Sequence, residues 1–329
     1  MTLAMRRLWT PAMYQGGRRD GRFEGWYFKA VDASGTVPFA VIPGISWDEA
    51  GGTSHAFVQV VRAGGHTRYF RYPVTAFEFE RMRTFGVSVG GNVFTQHGMR
   101  LDLSDDEGTV SGGLSFGAWT PWPVHALSPG IMGWYRFVPR MECYHGVLSM
   151  DHAVDGTITL GDETLTFDGG RGYIEKDWGT SFPSSWVWAQ TNSFGRPGVS
   201  LTFSVARIPW LGSAFVGSIA GLLLDGELHR FATYTGARLV AIETRPCCAH
   251  AVLRDARHEL EVTAEGAAPA ALKAPVHGRM VARADEALGA TVRVTLRSLA
   301  GPAGSEVLFD GTGTAAGVEV MDRLGELTV

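Results

Sequence analysis

Residues 259–263 (ELEVT) and 292–296 (VRVTL) alternate apolar and polar side chains one by one. Successive side chains of a β-strand point to opposite faces, so this pattern predicts strands with one buried and one exposed face. Similar short runs recur along the chain with Gly, Asn or Asp between most of them, and helix signals are scarce. Strands at this spacing are typical of antiparallel barrels and sandwiches. The sequence therefore predicts an all-β protein.

The length of the chain suggests two units of this kind. It has 329 residues, of which 43 are glycine and 45% are hydrophobic, so a sizeable core is possible. At about 150 residues per domain, this length corresponds to roughly two domains. We predict a flexible N-terminal tail over residues 1–14, one β domain over residues 15–160 and a second over residues 161–329.

Charge and cysteine content exclude several functions. The 29 basic and 33 acidic residues give a net charge of −4, which argues against nucleic-acid binding. Three cysteines, Cys143, Cys247 and Cys248, form no disulfide framework, and we place the last two on opposite faces of one strand.

The first 15 residues contain no continuous apolar segment like that of a secretion signal. The apolar stretch Val199–Leu224 is interrupted by charge, Pro209 and glycines, and is predicted to be two buried strands. These features predict a cytoplasmic protein.

The segment Trp119–Met132 differs from its surroundings. It contains Pro121, Pro123 and Pro129, which a central strand would not tolerate. We interpret it as a long loop that serves either as a lid at a cavity mouth or as a packed surface loop.

The densest cluster of reactive residues lies at 172–178 (GYIEKDW), followed by 186–190 (WVWAQ). If the first run is a strand, Tyr173, Glu175 and Asp177 share one face. The second run would present Trp186, Trp188 and Gln190 together. An apolar wall disfavours the charged form of a carboxyl group and raises its pKa, so such an acid can deliver a proton. The alternative is a structural ion pair with Lys29 or Arg171.

A second cluster lies at 23–29 (FEGWYFK), where Glu24, Trp26 and Phe28 share a face. These residues either contact a ligand or belong to the core, with Glu24 capping a neighbour. A third cluster, 141–147 (MECYHGV), contains Tyr144 and His145.

Metal, nucleotide and serine-hydrolase chemistry receive little support. A metal site built from His145 with His55 and His152 lacks the usual ligand spacing. The chain also contains no nucleotide-binding glycine motif and no Gly-x-Ser-x-Gly. We predict no metal and no cofactor.

The two motifs at 23–29 and at 175–188 (EKDWGTSFPSSWVW) together resemble the tocopherol cyclase family, over about Gly21 to Tyr234. That family is similar in turn to lipocalin-like carotenoid 1,2-hydratases. The resemblance implies two lipocalin-like antiparallel β-barrel or sandwich domains packed around an apolar cavity. Asp177 stands where plant members have Asn, which leaves Glu175 as the matching carboxyl. Tyr173 and Glu175 match a Tyr-x-Asp spacing of the hydratases, with Glu for Asp.

The implied reaction is acid-catalysed cyclisation of a prenylated phenol or hydroquinone to a chromanol-type ring, without a cofactor. Glu175, Tyr173 and Asp177 are the predicted catalytic residues. The aromatic faces of Trp26, Trp186 and Trp188 would stabilise the cation, and Gln190 would orient the hydroxyl. The predicted substrate-binding residues are Glu24, Trp26, Tyr144, Trp178, Trp186, Trp188 and Gln190.

Two other functions remain open at this point: hydration of a carotenoid-like isoprenoid, and non-catalytic binding of a hydrophobic small molecule. In every case the expected partner is a hydrophobic small molecule, and no nucleic acid is expected. An apolar substrate also implies transient contact with a membrane surface. The sequence leaves the oligomeric state open.

Overall fold

Strands account for nearly all the regular structure of the computed structural model, which describes residues 3–16, 21–49, 53–80, 85–300 and 305–329. Within these residues a single short α-helix, α1 (Leu3–Leu8), precedes the strands. Three short 3-10 helices lie at Val74–Ala76, Gly133–Phe137 and Thr233–Thr235. Among the described residues, no helix has the length and apolar character needed to cross a membrane.

The first sheet is antiparallel and contains twelve strands in the order β4-β3-β2-β1-β14-β12-β9-β8-β7-β6-β5, with β13 paired to β12. The small hairpin β10–β11 stands apart from it. The strands are β1 (Arg22–Val31), β2 (Pro38–Trp47), β3 (His55–Arg62), β4 (His66–Tyr72), β5 (Phe77–Phe79), β6 (Gly86–Val89), β7 (Asn92–Thr95), β8 (Gly98–Asp105), β9 (Gly108–Phe116), β10 (Val124–His125), β11 (Ser128–Pro129), β12 (Cys143–Leu160), β13 (Glu163–Thr166) and β14 (Gly170–Gly179).

The second sheet is also antiparallel and contains ten strands in the order β18-β17-β16-β15-β24-β23-β21-β20-β19, with β22 paired to β23. The strands are β15 (Trp186–Thr191), β16 (Val199–Trp210), β17 (Ser213–Leu224), β18 (Glu227–Ala232), β19 (Arg238–Arg245), β20 (Cys248–Arg254), β21 (His258–Glu265), β22 (Ala270–Val276), β23 (Arg279–Ser298) and β24 (Glu306–Met321). The predicted all-β architecture is therefore confirmed.

The alternating stretches that predict strands are direct partners in the second sheet. Residues 259–263 lie in β21 and residues 292–296 in β23, where Leu260 pairs with Leu296 and Val262 with Val294. All four of these side chains are buried. On the exposed face, the Arg297 guanidinium contacts Glu261 at 2.9 Å. One face thus supplies the core and the other carries surface ion pairs, as the alternation predicts.

Three apolar clusters organise the molecule. One fills the first β unit, around Phe28 and Phe94, and a second fills the second unit, around Leu201. The third lies between the two units and includes Tyr27. Strand β1 is buried along nearly its whole length because one of its faces meets the first core and the other meets the shared layer. Strands with two buried faces bring reactive side chains into the space between the units.

The described part of the N-terminal segment makes hydrogen bonds with the first sheet, and the flexibility of residues 1–14 stays a prediction. The Lys176 ammonium donates to the carbonyl oxygens of Pro11, at 3.1 Å, and Met13, at 2.5 Å. Trp26 Nε1 donates to Ala12 O at 3.0 Å, and Gln15 N donates to Glu24 Oε1 at 2.6 Å. The segment is thus hydrogen-bonded to β1 and β14.

The change from one sheet to the other falls between Gly179 and Trp186. The predicted division at residues 160/161 falls earlier and would separate β12 from its partners β13 and β14. The stretch Val199–Leu224 forms two strands as predicted, with Leu211 and Gly212 at the turn. Cys247 instead lies in a turn with φ 60°, so it does not share a strand with Cys248.

The proline-containing segment 119–132 packs against the second unit. Trp122 is only 1% exposed, and its ring lies where a Cβ on Gly221 of β17 would be. The carbonyl of Ile131 accepts a 2.7 Å hydrogen bond from Tyr234 Oη. Met132 reaches the cavity between the units. The segment is therefore a packed loop whose C-terminal end forms part of a cavity wall.

Candidate active site

Strand β14 presents two chemically different faces. Ile174, Lys176 and Trp178 point toward the first unit, whereas Tyr173, Glu175 and Asp177 point toward the space between the units, because side chains alternate along a strand. Tyr173 is 0% exposed and Glu175 is 5% exposed. The predicted grouping of Tyr173, Glu175 and Asp177 thus matches the arrangement in the structure.

A cavity lies between the two sheets, and its walls are mostly apolar. Its apolar lining comes from both units and includes Phe23, Tyr27, Phe57, Phe182, Trp186, Trp188, Phe215 and Ile219. Besides tyrosines, its titratable lining includes Cys143, His145, Glu175, Asp177, Lys273 and Glu319. An apolar cavity with a few convergent polar groups is the usual form of a small-molecule site.

Glu175 is the carboxyl most tightly held in this cavity. Its Oε2 accepts a 2.6 Å hydrogen bond from Tyr173 Oη and a 3.1 Å hydrogen bond from Trp188 Nε1. The Tyr173 hydroxyl also lies 3.1 Å from Thr202 Oγ1. Burial raises the pKa of Glu175 to about 7, although His145 and the two donors pull it down. Glu175 can therefore exist as a neutral acid near neutral pH, aimed at an apolar space.

His145 stands beside this acid and joins it to Asp177. Its Nδ1 lies 2.8 Å from Asp177 Oδ1, and its Nε2 lies 3.7 Å from Glu175 Oε2. Burial opposes the charge on His145, but the two carboxylates outweigh burial and raise its pKa to about 9. His145 is thus an imidazolium at neutral pH that can stabilise the anion left when Glu175 gives up a proton. From the sequence, His145 is a candidate only for a metal ligand.

The same three residues define the geometry available to a metal ion. One ligand atom each from His145, Glu175 and Asp177 falls within 4.8 Å of the others. Two of these atoms already pair with each other, His145 Nδ1 and Asp177 Oδ1, and Glu175 Oε2 already accepts two hydrogen bonds. His145 Nε2, in contrast, is buried and has no hydrogen-bond partner among the described residues, so the absence of a metal stays a prediction.

Gln190 lies deeper than the cavity wall. Its Oε1 accepts a 2.8 Å hydrogen bond from the ammonium of Lys29, and it is 0% exposed. Gln190 lies on the same face of β15 as Trp186 and Trp188, as predicted. It does not belong to the cavity lining. Gln190 therefore contacts a buried lysine in this structure, whereas the sequence predicts that it orients a substrate hydroxyl.

Four other predicted substrate contacts lie on the opposite side of the first sheet. The Lys176 ammonium pairs with Glu24 at 2.5 Å and lies between the rings of Trp26, at 4.5 Å, and Trp178, at 4.9 Å. Tyr144 stacks on Trp178 with ring centroids 5.6 Å apart. None of Glu24, Trp26, Tyr144 and Trp178 lines the cavity. In this structure they pack around Lys176 and the N-terminal segment, and their role as substrate contacts stays a prediction.

The fold and the site together define the class of protein, which has two lipocalin-like β units and a buried carboxyl group between them. The chain belongs to the tocopherol cyclase-like family, whose model matches residues 117–321, more than half of its length. The match includes Glu175, His145 and both cavity tryptophans.

Curated relatives match a shorter segment. A probable chloroplastic tocopherol cyclase from Oryza sativa subsp. japonica is 28% identical over 108 residues, which is 32% of this chain and 23% of the relative. The chloroplastic tocopherol cyclase of Zea mays is 29% identical over 110 residues, with the same coverage. The matched segment is thus about a quarter of each relative's length.

Solved structures share the fold over most of the chain. CghA with Sch210972 has a TM-score of 0.55 at 11% identity, covering 92% of this chain and 89% of that one. Kievitone hydratase from Nectria haematococca has a TM-score of 0.53 at 12% identity, covering 90% and 88%. A putative AttH from Nitrosomonas europaea has a TM-score of 0.52 at 12% identity, covering 93% and 94%. At these identities the likeness establishes the fold alone.

Proposed function

We propose that this chain is a cyclase that protonates the prenyl double bond of a phenol or hydroquinone, so that the neighbouring hydroxyl closes a chromanol-type ring. The observation that carries this proposal is the state of Glu175. It is a buried carboxyl with a pKa of about 7, facing a largely apolar cavity. A carboxyl poised near the working pH can be both present as the acid and able to release its proton.

The reaction needs a dry site because an alkene competes poorly with water for a proton. Glu175 would add its proton to the less substituted alkene carbon and leave a tertiary cation on the other. The rings of Trp186 and Trp188 line the same cavity and offer faces for that cation. The resulting Glu175 anion would accept hydrogen bonds from Tyr173 and Trp188 and lie near the His145 cation.

Hydration of an isoprenoid double bond is the second candidate. The same acid would start it, and water in place of a phenol would capture the cation. One protein of similar fold is named kievitone hydratase, and this supports hydration as a candidate reaction. Non-catalytic binding of a hydrophobic molecule is the remaining alternative, in which Glu175 would be dispensable.

Incubation in heavy water separates these functions. The wild type, Glu175→Gln and the surface control Glu163→Gln would each be incubated with a panel of prenylated hydroquinones and linear isoprenoids. The extracts would be analysed by mass spectrometry. We expect the wild type and Glu163→Gln to give an isomeric product with one non-exchangeable deuterium, and Glu175→Gln to give none.

Other results would support one of the two alternative functions or contradict the assignment of Glu175 as the acid. A product heavier by one water would identify a hydratase. A compound retained equally by wild type and Glu175→Gln, without any product, would contradict catalysis and favour a binding protein. Full activity of Glu175→Gln would contradict the acid assignment.

A further inference from the structure

Of the three carboxyl groups that line the cavity, Glu175 and Glu319 each accept a hydrogen bond from an indole of strand β15. Trp188 Nε1 donates to Glu175 Oε2 at 3.1 Å, and Trp186 Nε1 donates to Glu319 Oε2 at 2.6 Å. Glu175 belongs to β14 in the first sheet, whereas Glu319 belongs to β24 in the second. Both line the cavity, so a substrate between the sheets would have a carboxyl on each side.

Glu319 has a second carboxyl beside it. Glu286 on β23 is its direct antiparallel partner, so the two side chains share a face. Glu286 is 0% exposed, its Oε1 accepts a 2.6 Å hydrogen bond from Tyr27 Oη, and its Oε2 has no hydrogen-bond partner among the described residues. A buried charged oxygen without a hydrogen-bond partner is costly, so the site favours the neutral, protonated form of Glu286.

Electrostatics also favours a proton on this pair. Two neighbouring buried carboxyls cannot both ionise readily. Burial raises the pKa of Glu286 to about 7, against the pull of Tyr27 and Lys29. Burial and then Glu286 raise the pKa of Glu319 well above its ordinary value, and Glu175 and Asp177 add to that rise. The pair can therefore hold one proton and one negative charge.

We propose that Glu319, backed by Glu286, is the group that takes the proton lost by the attacking oxygen. This inference rests on the proposed function, because it assigns the second half of the same reaction. Glu175 gives its proton to carbon, and the carbon–oxygen bond forms as the alkene π bond is consumed. The oxygen–hydrogen bond then breaks, and its proton passes to the Glu319–Glu286 pair.

The balance of charge in this scheme suits a buried site. Before reaction Glu175 is neutral and the pair carries one negative charge. Afterwards Glu175 carries that charge and the pair is neutral, with two protons. The net charge of the cavity does not change, so no charge must be created in an apolar space. After product leaves, the pair releases one proton to solvent and Glu175 regains one.

The test separates the two halves of the reaction. If Glu319 acts only after protonation, Glu319→Gln still forms the cation but captures it slowly. In heavy water an uncaptured cation loses a proton from a neighbouring carbon and returns as substrate that carries deuterium. Wild type, Glu319→Gln, Glu319→Asp and Glu306→Gln would be compared by product formed and by deuterium in recovered substrate. Glu306→Gln is an exposed control on the same strand.

We expect Glu319→Gln to lose at least tenfold in product formation while recovered substrate gains deuterium, and Glu319→Asp to recover part of the loss. Equal loss of product and of deuterium uptake would show that Glu319 serves the structure or the first step, and would overturn the inference. Unchanged product formation would overturn it as well. No deuterium in substrate or product with the wild type would instead reject the proposed function, and the inference with it.

Discussion

Trp188 Nε1 donates a 3.1 Å hydrogen bond to Glu175 Oε2, so an indole of the second sheet holds the acid of the first. The two residues are only 13 positions apart in the chain, yet they belong to different sheets that face each other. The hydrogen bond therefore connects the two sheets at the wall of the cavity, which both residues line. It couples the position of the acid to the packing of the two β units.

Removing this donor should shift the acidity of Glu175. An N–H that donates to a carboxylate stabilises the charged form, so its loss raises the pKa of Glu175 further. We expect Trp188→Phe to move the pH at which activity is half lost upward from that of the wild type, and to lower kcat about tenfold. Trp186→Phe is a useful comparison, because it removes the donor to Glu319 and leaves both hydrogen bonds of Glu175 in place. An unchanged pH profile for Trp188→Phe would contradict the coupling.

The wild-type pH profile follows from the same group. Glu175 must carry its proton to act as an acid, and burial raises its pKa to about 7. We therefore expect kcat to fall about tenfold for each pH unit above that pKa, and to fall again at lower pH once the Glu319–Glu286 pair has taken up its second proton. Stopped assays between pH 5 and 9 would measure this. A rate that rises through pH 7 would exclude Glu175 as the proton donor.

Stability should depend on pH in the same direction. The folded-state pKa of Glu175 is raised above the ordinary 4.5, so the folded state binds this proton more tightly than the unfolded state. Its contribution favours folding below about pH 4.5 and is lost as pH rises through about 7. We expect Glu175→Gln to gain in free energy of unfolding relative to wild type between pH 5 and pH 8, by on the order of 1 to 3 kcal/mol. Denaturant titrations at both pH values would show a constant difference if this is wrong.

The sequence predicts much of this arrangement because alternation is a local property. It correctly places Tyr173, Glu175 and Asp177 on one face and Trp186 with Trp188 on another. Alternation cannot say which face looks into the cavity, so it does not distinguish a substrate contact from a core position for Glu24 and Trp26. Their face instead surrounds the ammonium of Lys176.

The remaining site residues depend on pairing between distant strands. His145 reaches Asp177 because β12 pairs with β14, in a register that shifts twice further along the pair. Glu286 and Glu319 come from the last two strands, more than 100 residues beyond Glu175. The local sequence around each of them resembles that of other strands, and no pattern distinguishes either glutamate. Tertiary pairing thus sets this half of the site.

The buried Lys176–Glu24 pair should contribute to stability and not to chemistry. Removing one partner leaves an uncompensated charge inside the first unit, at a cost of about 3 to 5 kcal/mol. We expect Glu24→Gln to lower the free energy of unfolding by that order while kcat of the folded fraction is unchanged. The double variant Glu24→Gln/Lys176→Met should recover part of the loss. A selective rise in KM for Glu24→Gln, without loss of stability, would restore its predicted role in substrate binding.

Gly221 of β17 marks where the loop 119–132 closes on the second unit. A Cβ at this position would overlap the six-membered ring of Trp122, which is 1% exposed and has little room to move. We expect Gly221→Ala to cost about 1 to 3 kcal/mol of stability through overpacking. Because Met132 at the end of this loop lines the cavity, the substitution should also raise KM.

The overlap can be isolated by a double-mutant cycle. Trp122→Phe removes the part of the ring that the new Cβ would strike, so the pair Gly221→Ala/Trp122→Phe should be more stable than the two separate losses predict. The free energies of unfolding of the four proteins would give the coupling directly. Strict additivity would mean that the cost of Gly221→Ala arises from strand propensity, and that the loop does not depend on this contact.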